Sequence, residues 1–343
     1  MATAARKKAS ALSLLGPELQ ERLRPEPFPK WIEPMKATLT DEYFSDPQWI
    51  FERKLDGVRI VAYKQEGEVH LYTRNRNLSD FTYPEVVLAL KNQLRDNFVI
   101  DGEVTAFKGK HSSFSLLQDR LGLSSAEEAL ATGISIEYYV FDVLHLEGQS
   151  TLRLPQLARK ELLEQLFEWD DVLHYCEHRI GKGEQFYGQA CKTGWEGLIA
   201  KNRNAVYEPG RRSDAWLKFK CSLEQEFVIG GYTEPQGERD YFGALLLGHY
   251  KHGKLQFAGK VGSGFDFREL KRLHSLMQRL ESAENPFDPS QRIREPRVHW
   301  VKPELVCQIV FTEWTDDGKL RHGRYLGLRD DKPAQEVVRE DPQ

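Results

Sequence analysis

The first clear pattern along the chain is a pair of β-rich runs, Arg59–Lys64 and Val69–Thr73, separated by a short polar stretch in which Gly67 permits a turn. Together they predict a hairpin. Pro84 suits the first turn of a helix, so a helix is expected from there through Leu94. Phe98–Phe107 and Ile136–Leu146 read as buried strands, although runs this short do not exclude a helix on periodicity alone. Leu157, Leu162, Leu163 and Leu166 fall at helical spacing within Leu154–Phe167. Two further strands fit Glu196–Asn202 and Asp214–Lys220.

After Cys221 the pattern changes to short strands with Gly-marked turns, in EQEFVIGGYTEPQG and then ALLLGHYKHGKLQFAGKVGSGF. Asp266 and Glu269 form an Asp-x-x-Glu capping box ahead of a helix through Leu280. Leu305, Cys307, Ile309 and Phe311 alternate in what reads as a last strand. Short strands plus one helix suit a small β-barrel of OB type, and a sandwich fits the pattern almost as well. The expected fold class is α+β. Residues 1–29 form a basic, Pro-rich arm, 30–221 a first domain, and 222–343 an OB-fold β-barrel domain.

Composition adds limits. At 343 residues, 40% hydrophobic and 29% charged, the chain has room for about two globular domains. No stretch approaches the ~18 uninterrupted apolar residues of a membrane span. The first fifteen residues lack acids and carry Arg6, Lys7 and Lys8; without an apolar core or a cleavage pattern they read as a disordered basic arm, not a targeting peptide. Cys176, Cys191, Cys221 and Cys307 form no CxxC pair, so reduced thiols are expected and neither a zinc site nor a disulfide framework. The net charge of −4 means that any surface for phosphates must be a local basic groove.

The sharpest local feature is Glu52-Arg53-Lys54-Leu55-Asp56-Gly57-Val58-Arg59. Taken alone it also reads as a charged strand followed by a tight Asp-Gly turn. A chemical reading is available. A lysine amine attacks phosphorus only when unprotonated, so a nucleophilic Lys54 needs its pKa lowered from ~10.4 by cations, desolvation or a metal. Arg59 can clamp a phosphate bidentately, and Gly57 lets the backbone come close to a nucleotide.

Lys54-x-Asp56-Gly57-x-Arg59 resembles the nucleotide-attachment motif of the covalent nucleotidyltransferases, which comprise ATP-dependent DNA ligases, RNA ligases and mRNA capping enzymes. Further matches follow in family order: Thr73-Arg74-Asn75, Asp101-Gly102-Glu103, Tyr139-Val140-Phe141-Asp142, Glu196-Gly197-Leu198-Ile199-Ala200-Lys201, Trp216-Leu217-Lys218-Phe219-Lys220 and Arg329-Asp330-Asp331-Lys332. The resemblance covers about residues 31–332. It implies a nucleotidyltransferase (adenylation) domain followed by an OB domain, with Lys54 as the catalytic residue. It implies that Glu103 accepts a hydrogen bond from a ribose hydroxyl, that Phe141 stacks on adenine, and that Lys218 and Lys220 lie on the α-phosphate. Arg74 and Arg212 lie near phosphates in the same reading. Glu196, with Glu103, suits Mg2+ or Mn2+, since hard cations prefer oxygen. Each has a plain alternative: a strand-end cap for Glu103, a core aromatic for Phe141, a wet edge for the two lysines.

Thr73 departs from the usual serine of its motif, and Arg76 stands where many relatives have glycine. Glu52, two before the lysine, resembles the DNA ligase branch, in which it accepts a hydrogen bond from the adenine amino group; a GTP-using capping enzyme would not want it. WLKFK and LRHGRYLGLRDDK look most like the ligase domain of bacterial end-joining ligases. The expectation is an ATP-dependent DNA ligase sealing nicks in duplex DNA during repair through a lysyl-AMP. Arg329, Asp331 and Lys332 would close onto the β- and γ-phosphates. It would be cytoplasmic, nucleoid-associated and monomeric, with an end-binding protein or polymerase as partner. An RNA ligase, a capping-type enzyme or a non-catalytic DNA-binding module are the rival readings.

Overall fold

The computed structural model describes residues 11–123, 125–235, 239–315 and 317–340. The chain divides into a unit ending at Cys221 and one beginning at Ser222.

In chain order the main elements of the first unit are β1 (Lys36–Leu39), β2 (Trp49–Lys54), β3 (Val58–Gln65), β4 (Glu68–Thr73), α1 (Pro84–Lys91), β5 (Phe98–Thr105), β6 (Glu137–Leu146), α2 (Gln156–Leu166), α3 (Gly183–Lys192), β7 (Gly197–Asn202) and β8 (Arg212–Lys220). They build two sheets. One places β6, β5, β3 and β4 side by side; the other places β2, β7 and β8 antiparallel, with β1 parallel to β8. The hairpin of β3 and β4 turns at Glu66 and Gly67, both in the left-handed region (φ 52° and 83°), which matches the twist of the strands.

Strand β3 is apolar on both faces because both are covered. Ile60 and Ala62 pack with α1, α2 and the N-terminal Leu15 and Leu23, whereas Val61 and Tyr63 face the second sheet beside Ile32, Met35 and Trp216. The far side of the second sheet is closed by α3, through Phe51, Leu198, Ala200 and Phe219 against Phe186 and Ala190. A cleft between the two sheets is therefore lined from both.

The second unit contains β9 (Leu223–Thr233), β10 (Leu245–Lys251), β11 (Lys254–Val261), α4 (Phe267–Arg279), β12 (Val298–Val301), β13 (Val306–Phe311) and β14 (Arg324–Arg329). Strand β9 pairs with β13 over its first half and with β10 and β12 over its second, bending at the irregularity between Ile229 and Gly231. Among the described residues no ladder joins β11 to β14, so the strands curl in OB fashion without the closed barrel expected from the sequence.

Other expectations are corrected. The first helix stops at Lys91, three residues short of Leu94. Val306–Phe311 is not the last strand, because β14 follows and pairs with it. The capping box is half formed: Asp266 accepts the Glu269 N–H at 2.7 Å, but the Glu269 carboxylate turns to the Tyr325 hydroxyl at 2.6 Å. Cys191 and Cys221 are joined in a disulfide, because the end of α3 lies beside the end of β8; Cys176 and Cys307 are buried thiols. The segment before residue 30 is not a free arm from Ala11 onward, since Leu15 and Leu23 are buried and Arg24–Pro25 pairs with Gln149–Ser150. Arg6, Lys7 and Lys8 lie outside the described residues. No described helix is long and apolar enough to cross a membrane.

Candidate active site

Lys54 is the last residue of β2, and Val58 opens β3 in the other sheet, so Leu55-Asp56-Gly57 carries the chain across the cleft. Leu55 is buried beneath the crossing. Asp56 pins it: its N–H meets the Ser112 hydroxyl at 3.1 Å, its carbonyl accepts from the Thr105 hydroxyl at 3.0 Å, and its carboxylate accepts the Phe114 N–H at 3.0 Å. A Cβ on Gly57 would lie 2.2 Å from the Val104 carbonyl oxygen and 3.0 Å from Glu103 Cγ. The close approach that demands glycine here is to β5.

The Lys54 ammonium is ion-paired with Glu196, just before β7. Burial disfavours the ammonium, but Glu196, aided by Glu103 and Asp56, outweighs it and raises the lysine above its ordinary range. The lowered pKa expected of a nucleophile is therefore not a property of the protein alone. The other Glu196 oxygen, Oε2, is buried with no hydrogen-bond partner among the described residues. Glu103 lies on β5, opposite Arg59 on β3 and Tyr139 on β6.

Arg59 does not hold its fork open for phosphate. Its Nε and Nη2 grip Asp101 at 2.7 and 2.6 Å, and the Tyr207 hydroxyl donates to the same carboxylate at 2.7 Å. The guanidinium stacks 4.7 Å from the centre of the Phe141 ring. Arg59 and Asp101 are buttresses behind that ring.

Glu52 is buried between two lysines, Lys201 at 2.7 Å and Lys160 at 2.9 Å. Burial would raise its carboxyl, but the two ammoniums pull it below its usual range. The Lys201 ammonium lies 4.3 Å over Phe141 and 4.2 Å over Trp216. Behind this wall Arg159 grips Asp142 through Nε at 2.7 Å and Nη2 at 3.0 Å, and Gln156 links Asp142 to the indole N–H of Trp216. Sequence reasoning gave no role to Lys160, Arg159, Gln156, Asp142 or Lys201. Gln156, Arg159 and Lys160 share one face of α2, a polar i, i+3, i+4 stripe that was the available signal.

Ladder register aligns Glu52, Ile199 and Lys218, and next to them Lys54, Gly197 and Lys220, across three strands. Paired residues share a sheet face, so both lysines of β8 lie on the face that carries Lys54 and Glu52. Gly197 permits this packing, as a Cβ there would lie 1.9 Å from the Phe219 carbonyl oxygen. Arg212 stands at the far end of β8, exposed, donating to the Ala37 carbonyl at 2.6 Å, and is not brought to Lys54. Arg74 follows β4 and is half-buried. Arg329, Asp331 and Lys332 belong to the second unit. There Arg329 grips Asp331 at 2.7 and 2.8 Å, and Lys332 meets Glu226 at 3.1 Å.

Two family models match: the ATP dependent DNA ligase domain over residues 34–220 and the ATP dependent DNA ligase C terminal region over residues 238–332. The chain is 36% identical over 323 residues to the multifunctional non-homologous end joining protein LigD of Pseudomonas aeruginosa, covering 92% of this chain and 37% of that protein. It is 38% identical to the LigD protein of Mycobacterium bovis, covering 90% and 40%. The chain thus spans about two fifths of the length of these curated relatives. A solved structure of mycobacterial DNA ligase D complexed with ATP and MES matches at 35% identity and a TM-score of 0.65, covering 90% of this chain and 98% of that one.

Proposed function

The chain belongs to the ATP-dependent DNA ligase family, and on that premise we propose that it joins a 5′-phosphate to a 3′-hydroxyl at nicks in duplex DNA, with Lys54 as the nucleophile. The observation that carries the reading is the convergence of Lys54, Glu196, Lys218 and Lys220 on one sheet face, opposite Phe141 and Glu103 of the other sheet.

The unprotonated Lys54 amine attacks the α-phosphorus of ATP. A phosphorus–nitrogen bond forms, and the bond to the pyrophosphate oxygen breaks. An oxygen of the DNA 5′-phosphate then displaces the lysine, and the 3′-hydroxyl oxygen finally displaces AMP. Lys218 and Lys220 stabilise the charge that builds on the α-phosphate, the role preorganised cations perform best. Phe141, backed by Arg59, offers a flat face to adenine. Glu52 accepts from its amino group, Glu103 accepts from the ribose, and Arg74 contacts phosphates at the rim. Arg329, Asp331 and Lys332 act in the first step by closing onto the pyrophosphate end.

A divalent cation fits this site. The buried, unpartnered Oε2 of Glu196 and the nearby Glu103 carboxylate are the oxygen donors magnesium or manganese selects. Bound there, it would weaken the hold of Glu196 on the lysine proton and neutralise phosphate charge. The names of the LigD relatives support a place in non-homologous end joining, in which an end-binding protein and a polymerase would be its partners.

The test uses ATP labelled at the α-phosphate. The expected results are a labelled protein adduct and, on adding nicked DNA, a sealed strand with released AMP. No adduct would overturn the reading, and an adduct that seals nicked RNA but not DNA would overturn its substrate.

A further inference from the structure

The two lysines that flank Glu52 are not equivalent. Lys160 sits on the second turn of α2, is fully buried, donates its ammonium to the Cys176 carbonyl and lies 4.1 Å over the Tyr175 ring. Lys201 makes no hydrogen bond among the described residues; the ion pair and the rings of Phe141 and Trp216 hold it. The asymmetry extends to the carboxylate. Glu52 Oε1 faces Lys160 at 2.9 Å without an aligned hydrogen bond, so that oxygen keeps its capacity to accept one.

A buried carboxylate stripped of its cation either protonates or carries a large desolvation cost. Protonated, it would present a donor toward the amino group it is meant to accept from. A carboxylate with two cations can lose one and stay ionised. Lys160, held also by the Cys176 carbonyl, is the one with a second anchor outside the site.

We propose that Lys160 is a positioning residue for adenine recognition: it holds Glu52 ionised and in one orientation, so that a carboxylate oxygen stays available to the amino group of the bound nucleotide. The proposal rests on the reading of this cleft as an ATP site. Without Lys160, Lys201 becomes the sole counter-ion of Glu52, and the carboxylate loses the cation that fixes its orientation. Nucleotide affinity and the preference for a 6-amino purine both fall, while the chemical step at saturation changes far less.

The experiment measures KM and kcat for lysyl-AMP formation with ATP, and for adduct formation with inosine triphosphate, whose base carries a carbonyl in place of the amino group. It uses the full chain and the variants Lys160→Met, Lys160→Arg, Glu52→Gln and Glu52→Gln with Lys160→Met. For Lys160→Met the KM for ATP should rise about tenfold or more, with a comparable loss of preference over inosine triphosphate. The kcat should fall much less than KM rises. Lys160→Arg should recover most of the preference, and the double variant should be no worse than Glu52→Gln alone. Unchanged KM and preference in Lys160→Met would overturn the role. So would additive losses in the double variant. Should Lys160→Met not fold, Lys160→Arg decides: wild-type melting with the preference lost refutes positioning by charge. If the unaltered chain forms no adduct with ATP, the ATP-site reading fails; an adduct with an unaffected Lys160→Met sinks only the positioning role.

Discussion

Replacing Gly57 by alanine tests the claim that this glycine exists for the packing of β3 on β5. The added Cβ would lie 2.2 Å from the Val104 carbonyl oxygen, against an ordinary contact of at least 3.4 Å. Backbone must therefore move by about 1 Å, because no rotamer can relieve a clash with a carbonyl. Either Val58 and Arg59 lift from Val104 and Glu103, or the Asp56–Gly57 turn swings and loses its bonds to Thr105 and Phe114. Overpacking of this kind costs ~1–3 kcal/mol, a fall of several degrees in melting temperature at ~2–4 °C per kcal/mol. The chemical effect should be larger. Lys54 lies three residues away, and ~1 Å of misplacement in a reacting group costs on the order of 100-fold. The assay is the single-turnover rate of lysyl-AMP formation at saturating ATP, beside a melting curve. A variant that melts lower but adenylates at the wild-type rate would show that the glycine serves the fold and not the placement of Lys54. Unchanged melting would refute the packing argument itself.

Three further outcomes are expected. Lys54→Ala should form no adduct while keeping a cooperative melting transition; label in that variant would remove the nucleophile assignment. Asp142→Asn should cost ~3–5 kcal/mol by leaving Arg159 uncompensated in the interior. Burial raises the Asp142 carboxyl, but Arg159 pulls it below its ordinary range. Its stabilisation is thus present above about pH 4 and lost as pH falls further, so urea midpoints of the variant should vary less with pH in that acid range than those of the wild type. Arg329→Ala and Lys332→Ala should slow adenylation from ATP but still seal a nick that already carries a 5′-adenylate, because pyrophosphate has no part in that step; equal loss in both assays would point to folding or DNA binding.

The strands that carry the family motifs were legible as short β-rich runs: β7 and β8 from Glu196–Asn202 and Asp214–Lys220, and the hairpin from its turn. Register then aligned residues that the sequence keeps more than a hundred positions apart. The network behind Phe141 was not legible. Gln156, Arg159 and Lys160 form the kind of stripe that faces water on most helices, and Asp142 and Glu52, supplied by two strands, compensate the buried charges of Arg159 and Lys160. Arg59 misled in the opposite direction: its motif suggested a phosphate clamp, but Asp101, opposite Val61 on the neighbouring strand, takes the fork. Leu15 and Leu23 lie in a segment whose prolines and charges suggested an arm, and their burial together with the pairing of Arg24–Pro25 docks it.

The bond between Cys191 and Cys221 closes a covalent ring across a sequence separation of 30. Inside that ring lie Glu196, Lys201, Lys218 and Lys220, and the Cys221 N–H donates to the Glu196 carbonyl at 2.9 Å. A loop of this length withdraws about 3–4 kcal/mol of chain entropy from the unfolded state in the simplest model. Preparations made with and without a thiol reductant are therefore two molecules of different stability, although the ladder between β7 and β8 is common to both. Adenylation rates and melting temperatures measured on this chain are comparable only when the oxidation state of that pair is fixed.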